Sequence, residues 1–371
     1  MTYKNYFLGY LKKYFSIRII DCSSIFHKDL KINNDIDIKS IFFYKPDFFQ
    51  DLKKKINIIK PDYVVLGGSD LFKLKIYNLL NIKRIKIIDF YIHYPEFHEI
   101  SLNLILKTIL DLKMFIFFNE FFKILIKKIK SFFTKDYNKK NPILFDLIFF
   151  SGYLAKNYIL KKNNFKKIFS VNSFEHTLPL KKLKKKKFAV FLDNLTFGHP
   201  DRSIISIKEL VDNNYFFEMN KFFSFLKFFF KLDIIIAAHP KTDLKEFKKY
   251  YPNNEVIINK THNLIFSSEF VMAHSTTSAI NLAVICKKPI IFITSDDINR
   301  DFYYYKMLLF KNSILKQPTI NISNSNYFFK LKKYNTINSA GYNEFTFNYL
   351  KTHDASLLDP KREIVNNILK L

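Results

Sequence analysis

Two short apolar runs, each broken off by groups that can hold an anion, constrain this chain more than any other feature. Residues 233–278 begin with DIIIAAHPK and end in SSEFVMAHSTTS, which leads directly into AINLAV. The runs at 234–238 and 270–273 read as strands; His239-Pro240-Lys241 follows the first, and His274-Ser275-Thr276-Thr277-Ser278 the second. Each therefore reads as a βα unit. In open α/β sheets, ligands sit beyond the carboxyl ends of the strands, where helix starts offer unpaired N–H groups to phosphates. The pattern points to a nucleotide-activated substrate.

The rest of the chain repeats this grammar. In the first half, strands are expected at 16–21, 40–44, 63–66, 85–90, 147–150 and 168–171, with helical segments between them, which argues for parallel strands with crossovers. The last of these leads into Ser173-Phe174-Glu175-His176, expected near the crossing between domains. From Phe188 the pattern restarts, with strands at 188–192, 234–238, 255–258, 270–273 and 290–294 and helices at 215–231, 245–251, 263–267 and 278–286. The expected fold is α/β, two Rossmann-like domains at 1–180 and 188–355 facing across a cleft, with a C-terminal helix in 356–371 packing back on the first. The lysine run at 181–187 reads as a solvated hinge.

Composition bears on partners. The chain has 60 Lys plus Arg against 33 Asp plus Glu, a net charge of +27 that would suit nucleic acid, anionic lipid or an acidic substrate. Abundant Lys, Asn, Ile and Phe with no Trp and only 6 Gly is also what an AT-rich genome encodes, and that explanation is preferred to a nucleic-acid surface. Aromatic RNP motifs, zinc knuckles and helix-turn-helix signatures are absent by eye, so no nucleic-acid partner is expected. Residues 101–133 form a basic amphipathic helical pattern. Packing on its own core is the favoured reading, and an anionic bilayer interface the alternative. Cys22 and Cys286 lie far apart without ligand spacing, so neither a disulfide framework nor structural zinc is indicated. With no signal-peptide pattern and no long uncharged apolar run, the expected location is cytoplasmic, at the cytoplasmic face of the inner membrane at most.

The chemistry is concentrated at strand ends. An imidazole at His239, its backbone held by Pro240, can donate to a phosphate oxygen or protonate it. Three consecutive hydroxyl residues, Ser275, Thr276 and Thr277, exceed what one helix cap needs and can converge on one anion. Transfer from a nucleotide sugar also needs a base for the acceptor hydroxyl. Asp193, at the end of strand 188–192, is the first candidate, with Asp201 in the following His199-Pro200-Asp201 loop as the second. An Asx turn is the competing role for Asp193. His199 is a further candidate for contact with donor or acceptor. Gly67, Gly68, Ser69 and His93, at strand ends of the first domain, are candidates for the acceptor side, although a diglycine after a strand also builds ordinary tight turns. The adjacent pair Asp296-Asp297 reads as helix-cap chemistry.

The combination of His239-Pro240 with Ser275-Thr276-Thr277 resembles the HP motif and the Ser/Thr-rich motif of bacterial sialyltransferases, polysialyltransferases and Kdo transferases of capsule and lipopolysaccharide synthesis. The likeness covers the C-terminal half. It implies a GT-B fold and an inverting, metal-independent transfer of a ulosonic acid from a CMP-linked donor to a surface glycan or glycolipid, with no separate cofactor. It further implies that His239 contacts or protonates the donor phosphate, that Ser275 and Thr276 bind it, and that Pro240, Lys241, His274 and Thr277 complete the donor side. The family's carboxylate-rich motif ending in Gly is missing here, which leaves the base open. Two rivals stand beside this reading: a CDP-glycerol or CDP-ribitol phosphotransferase, and a non-enzymatic basic protein that binds nucleic acid or membrane.

Overall fold

The computed structural model describes residues 8–20, 22, 42–44, 46–66, 70–92, 143–184, 187–193, 213–240, 242–274, 277–324, 331, 334–355 and 359–371. The expected helix at 101–133 lies outside the described residues, as do Gly67, Gly68, Ser69, His93, His199, Asp201, Lys241, Ser275 and Thr276. The chain divides into two units. One takes the described residues up to Tyr94 with Asp136–Phe174 and Asn348–Leu371, and the other takes Glu175–Phe347.

In the first unit, β1 (Arg18–Ile20) and β2 (Phe42–Tyr44) pair in parallel. There follow α1 (Phe49–Ile59), β3 (Tyr63–Val65), α2 (Asp70–Asn81), β4 (Lys86–Tyr91), β5 (Leu144–Phe150), α3 (Tyr153–Lys162) and β6 (Asn164–Ser170). Strands β3 to β6 make a four-stranded parallel sheet in sequential order. Both faces of β5 are covered, as a parallel sheet requires: Leu147 and Phe149 enter one apolar cluster, Ile148 and Phe150 the other. Helix α1 buries Leu52 and Ile56, one turn apart, and stops at Lys60, whose backbone φ is 46° and whose N–H returns to the Ile56 carbonyl.

The second unit runs β7 (Phe188–Leu192), α4 (Asn213–Phe230), β8 (Asp233–Ala237), α5 (Leu244–Tyr250), β9 (Glu255–Ile257), α6 (Thr261–Ser267), β10 (Val271–Ala273), α7 (Ile280–Ile285), β11 (Ile290–Thr294), α8 (Asp296–Arg300), α9 (Phe302–Leu315), β12 (Thr319–Asn321) and α10 (Ser339–Phe345). Its sheet has six strands in the order β12-β11-β10-β7-β8-β9, all parallel. Numbered from β7, this is the doubly wound order 3-2-1-4-5-6, in which the chain leaves the first strand to one side and later returns to the other. The switch point lies between β7 and β10. Every residue of β7 and β11 is buried. Helix α4 closes one side with Tyr215, Met219, Phe222, Phe223 and Leu226.

The chain then returns to the first unit as α11 (Pro360–Leu369), whose Ile364 and Ile368 join the cluster holding Ile88, Leu147 and Phe149. Asp359 accepts from the Lys361 N–H and caps this helix, with Pro360 in its first turn. With glycine scarce, helix ends at Lys60, Lys231, Lys287 and Lys316 adopt positive φ on lysine, at about 1 kcal/mol each. The lysine run is not simply a solvated hinge: the Lys181 N–H donates to Asn263 Oδ1 and the Leu183 N–H to Ser267 Oγ, which pins the strap to α6. Both cysteines are free. No helix among the described residues is long and apolar enough to cross a membrane.

Candidate functional site

The register of the second sheet decides which side chains can meet. Leu192 on β7 stands beside Ala237 on β8 and Ala273 on β10. The three strands therefore end level, on both sides of the switch point, and each run of candidate residues starts one step further along the chain: Asp193, Ala238-His239 and His274. The Asp193 N–H donates to the Ala237 carbonyl (3.1 Å), which continues the ladder one residue past the strand. Its side chain is buried, at 7% exposure, as a strand-end carboxylate turned into the protein rather than out to solvent.

His239 is half-buried and Pro240 exposed. The Thr242 N–H closes a turn onto the His239 carbonyl at 2.9 Å. The sequence then supplies the next helix start: Asp243 accepts from the N–H groups of Lys245 and Glu246. The imidazole thus sits on a short turn clamped between a buried strand and a capped helix. Among the described residues, the buried Thr242 hydroxyl inside that turn has no hydrogen-bond partner.

His274 directly follows β10. It is fully buried, with Nδ1 at 2.9 Å from the Ile293 carbonyl and Nε2 at 2.7 Å from the Tyr215 hydroxyl. A carbonyl only accepts, so Nδ1 carries the proton, and in the neutral imidazole Nε2 accepts from Tyr215. The ring of Phe191 meets it edge-on at 5.5 Å. Both ring nitrogens are thus engaged within the fold. His274 rivets the end of β10 to β11 and to α4, and so fixes where the hydroxyl loop begins.

Thr277 Oγ1 accepts from the Ala279 N–H at 3.3 Å, within the turn that precedes α7. Behind the same loop stands Lys311 of α9. It is 1% exposed, with Nζ donating to the Thr277 carbonyl at 3.2 Å. On the other flank, Asn281 in the first turn of α7 donates to Glu175 Oε1 at 3.4 Å, and Glu175 is 4% exposed. Neither Lys311 nor Glu175 was assigned a role from sequence. Lys311 did leave a signal, since it falls one turn from Met307 and from Leu315 on a helix stripe that is otherwise apolar. Asp296 and Asp297 open α8, Ser295 caps it by accepting from the Ile298 N–H, and Asp297 pairs with Arg300. Helix-start chemistry accounts for that pair.

Tyr251 lies fully buried in the same layer. Burial first, then Tyr215 and the Asp193 carboxylate, push its phenol well above the ordinary value. A raised pKa means a contribution to stability that is whole below the unfolded phenol's pKa of about 10 and is lost as pH rises through the folded value. Urea melts at about pH 9 and about pH 11 should therefore show a steeper loss for the native protein than for Tyr251→Phe. Equal losses would contradict this placement of the ring. A cavity of about 290 Å³ lies at the opposite, amino-terminal edge of the sheet, lined by Lys227, Asp233, Asn253 and Glu255, away from these groups.

Comparison with known proteins adds outlines only. No family model matches the chain, and no curated protein matches it. Among solved structures it is similar to the S. aureus MnaA–UDP co-structure, with 14% identity, 86% of this chain and 78% of that chain covered, and a TM-score of 0.47. It is also similar to Acinetobacter baumannii MurG, with 9% identity, 90% and 86% covered, and a TM-score of 0.43. The calicheamicin glycosyltransferase CalG4 gives 10% identity, 86% and 76% covered, and a TM-score of 0.47. Likenesses this loose carry nothing about chemistry. The chain's own strand order and register define it as an α/β protein of two parallel-sheet units, the second doubly wound.

Proposed function

We propose that the protein is an inverting, metal-independent glycosyltransferase of GT-B type that moves a ulosonic acid, sialic acid-like or Kdo-like, from a CMP-activated donor to a surface glycan or glycolipid. One observation carries the reading: the shared register of Leu192, Ala237 and Ala273 at the switch point, which starts Asp193, the His239 turn and the Ser275–Thr277 loop from one sheet edge. In a doubly wound sheet that edge is the ligand crevice.

In the proposed reaction a carboxylate removes the proton from the acceptor hydroxyl, whose oxygen bonds to the anomeric carbon as the bond from that carbon to the CMP phosphate oxygen breaks. His239 donates to, or protonates, the departing phosphate. Ser275, Thr276, Thr277 and Lys241 hold that phosphate. Asp193 is the proposed base, with Asp201 as the second candidate; Gly67, Gly68, Ser69, His93 and His199 are proposed for the acceptor side. Protein groups neutralise the phosphate, so activity should survive a chelator.

The test is a donor panel: CMP-sialic acid, CMP-Kdo, CDP-glycerol and UDP-sugars, each with and without EDTA, followed by release of the nucleotide. CMP released from a CMP-sugar in EDTA is the expected result. Release of CMP from CDP-glycerol alone, or of UDP from a UDP-sugar alone, would replace the donor class.

A further inference from the structure

Helix α4 is apolar on both sides. Its inner face fills the core of the second unit through Tyr215, Phe216, Met219, Phe222, Phe223 and Leu226. Yet Phe217 is 69% exposed, Phe228 85% and Phe229 44%, and these three are the exposed large apolar side chains among the described residues of Glu175–Phe347. Such side chains are usually scattered singly over a surface. Here they gather on one helix. Phe217, Lys221, Ser224 and Phe228 are spaced four, three and four residues apart, so they lie on one outward stripe, and Phe229 and Lys231 flank its end.

The charges on that face have one sign. Lys221 and Lys231 are exposed, whereas the one acidic residue of the helix, Glu218, is half-buried and accepts from Ser323 Oγ at 2.9 Å. Phenylalanine rings standing among lysines, with no exposed carboxylate on the helix itself, match a surface that offers a shallow apolar layer under negative charge. A second copy of the chain fits poorly, because it would bring lysine against lysine in a molecule of net charge +27.

We propose that the outer face of α4 docks on an anionic lipid bilayer, with Phe217, Phe228 and Phe229 entering the headgroup boundary and Lys221 and Lys231 resting on lipid phosphates. This surface is distinct from the strand-end site, and the proposal does not rest on the donor reading.

Co-sedimentation of the full-length protein tests it, using vesicles of phosphatidylcholine alone and of phosphatidylcholine mixed with phosphatidylglycerol. Binding should require the anionic lipid and weaken as salt rises. The double variant Phe217→Ser/Phe228→Ser should bind roughly tenfold or more weakly while keeping the native melting temperature, because both rings stand outside the core. Lys221→Glu/Lys231→Glu should weaken binding by a similar factor. Two results would overturn the proposal. One is vesicle binding unchanged in the phenylalanine variant. The other is a dimer in sedimentation velocity that the same variant dissolves, which would give the stripe to a second copy.

Discussion

Replacing His239 by alanine should lower turnover with the productive CMP-sugar by about two to four orders of magnitude, the usual scale for losing a proton donor or an oxyanion contact. The fold should be untouched. His239 is half-buried on a turn whose backbone is held by the Thr242 N–H and by the Asp243 cap of α5. A normal melting temperature with lost turnover separates a chemical role from a packing role. If the loss falls on kcat and kcat/KM alike, the imidazole acts in the transition state; a rise in KM alone would make it only a binding contact. Near-normal turnover would remove His239 from the mechanism.

The largest expected effect on stability lies in the first unit. Gly152, between β5 and α3, has φ 81° and ψ 151°, a region open almost only to glycine. A Cβ there would lie 2.3 Å from the Asn348 carbonyl oxygen and 2.6 Å from Tyr349 Cα, both backbone atoms that no rotamer change can clear. The same return segment is tied nearby. Ser151 Oγ donates to the Tyr349 carbonyl, the Ser173 N–H to the Leu350 carbonyl, and Ser170 and Thr352 share a hydroxyl hydrogen bond. Gly152→Ala should therefore cost about 3–5 kcal/mol in urea denaturation, from backbone strain plus displacement of this segment. A cost under about 1 kcal/mol would mean that residues 348–352 are not held as described.

The second unit was largely legible because its strands are buried on both faces and so read as unbroken apolar runs. For the elements expected there, boundaries moved by a residue or two, whereas α9, β12 and α10, which follow residue 294, had no counterpart among the expected elements. The helix expected at 278–286 spans Ile280–Ile285, since a turn through Ser278 and Ala279 comes first. Where polar residues interrupt a run, the sequence understated the strand. Asp146 shortens the apparent fifth strand to 147–150, yet β5 begins at Leu144, because Asp146 accepts from the Ile87 N–H and pairs with Lys166. Lys166 and Lys167 hid the start of β6 in the same way. That strand is at the sheet edge, where charged side chains reach water and discourage further pairing.

The site was legible as positions and less so as roles. Which residues follow the strands can be read directly, and the register then shows that three of those strands end together. Which way a strand-end histidine turns cannot be read. His239 and His274 each follow a short apolar strand, yet Tyr215 and the Ile293 carbonyl, distant in sequence, claim both nitrogens of His274. The buried positions of Lys311 and Glu175 have a related cause: the fold sets Lys311 against the Thr277 carbonyl and Glu175 against Asn281 of α7, contacts that no local motif announces.

The central claim is that the edge shared by β7, β8 and β10 holds the phosphate of a cytidine nucleotide. A crystal structure of the protein with CMP tests it most directly. The account predicts the phosphate within hydrogen-bond reach of His239 and of the Ser275–Thr277 loop, with Asp193 or Asp201 across from it. A phosphate bound elsewhere, with His239 making no contact, would contradict it.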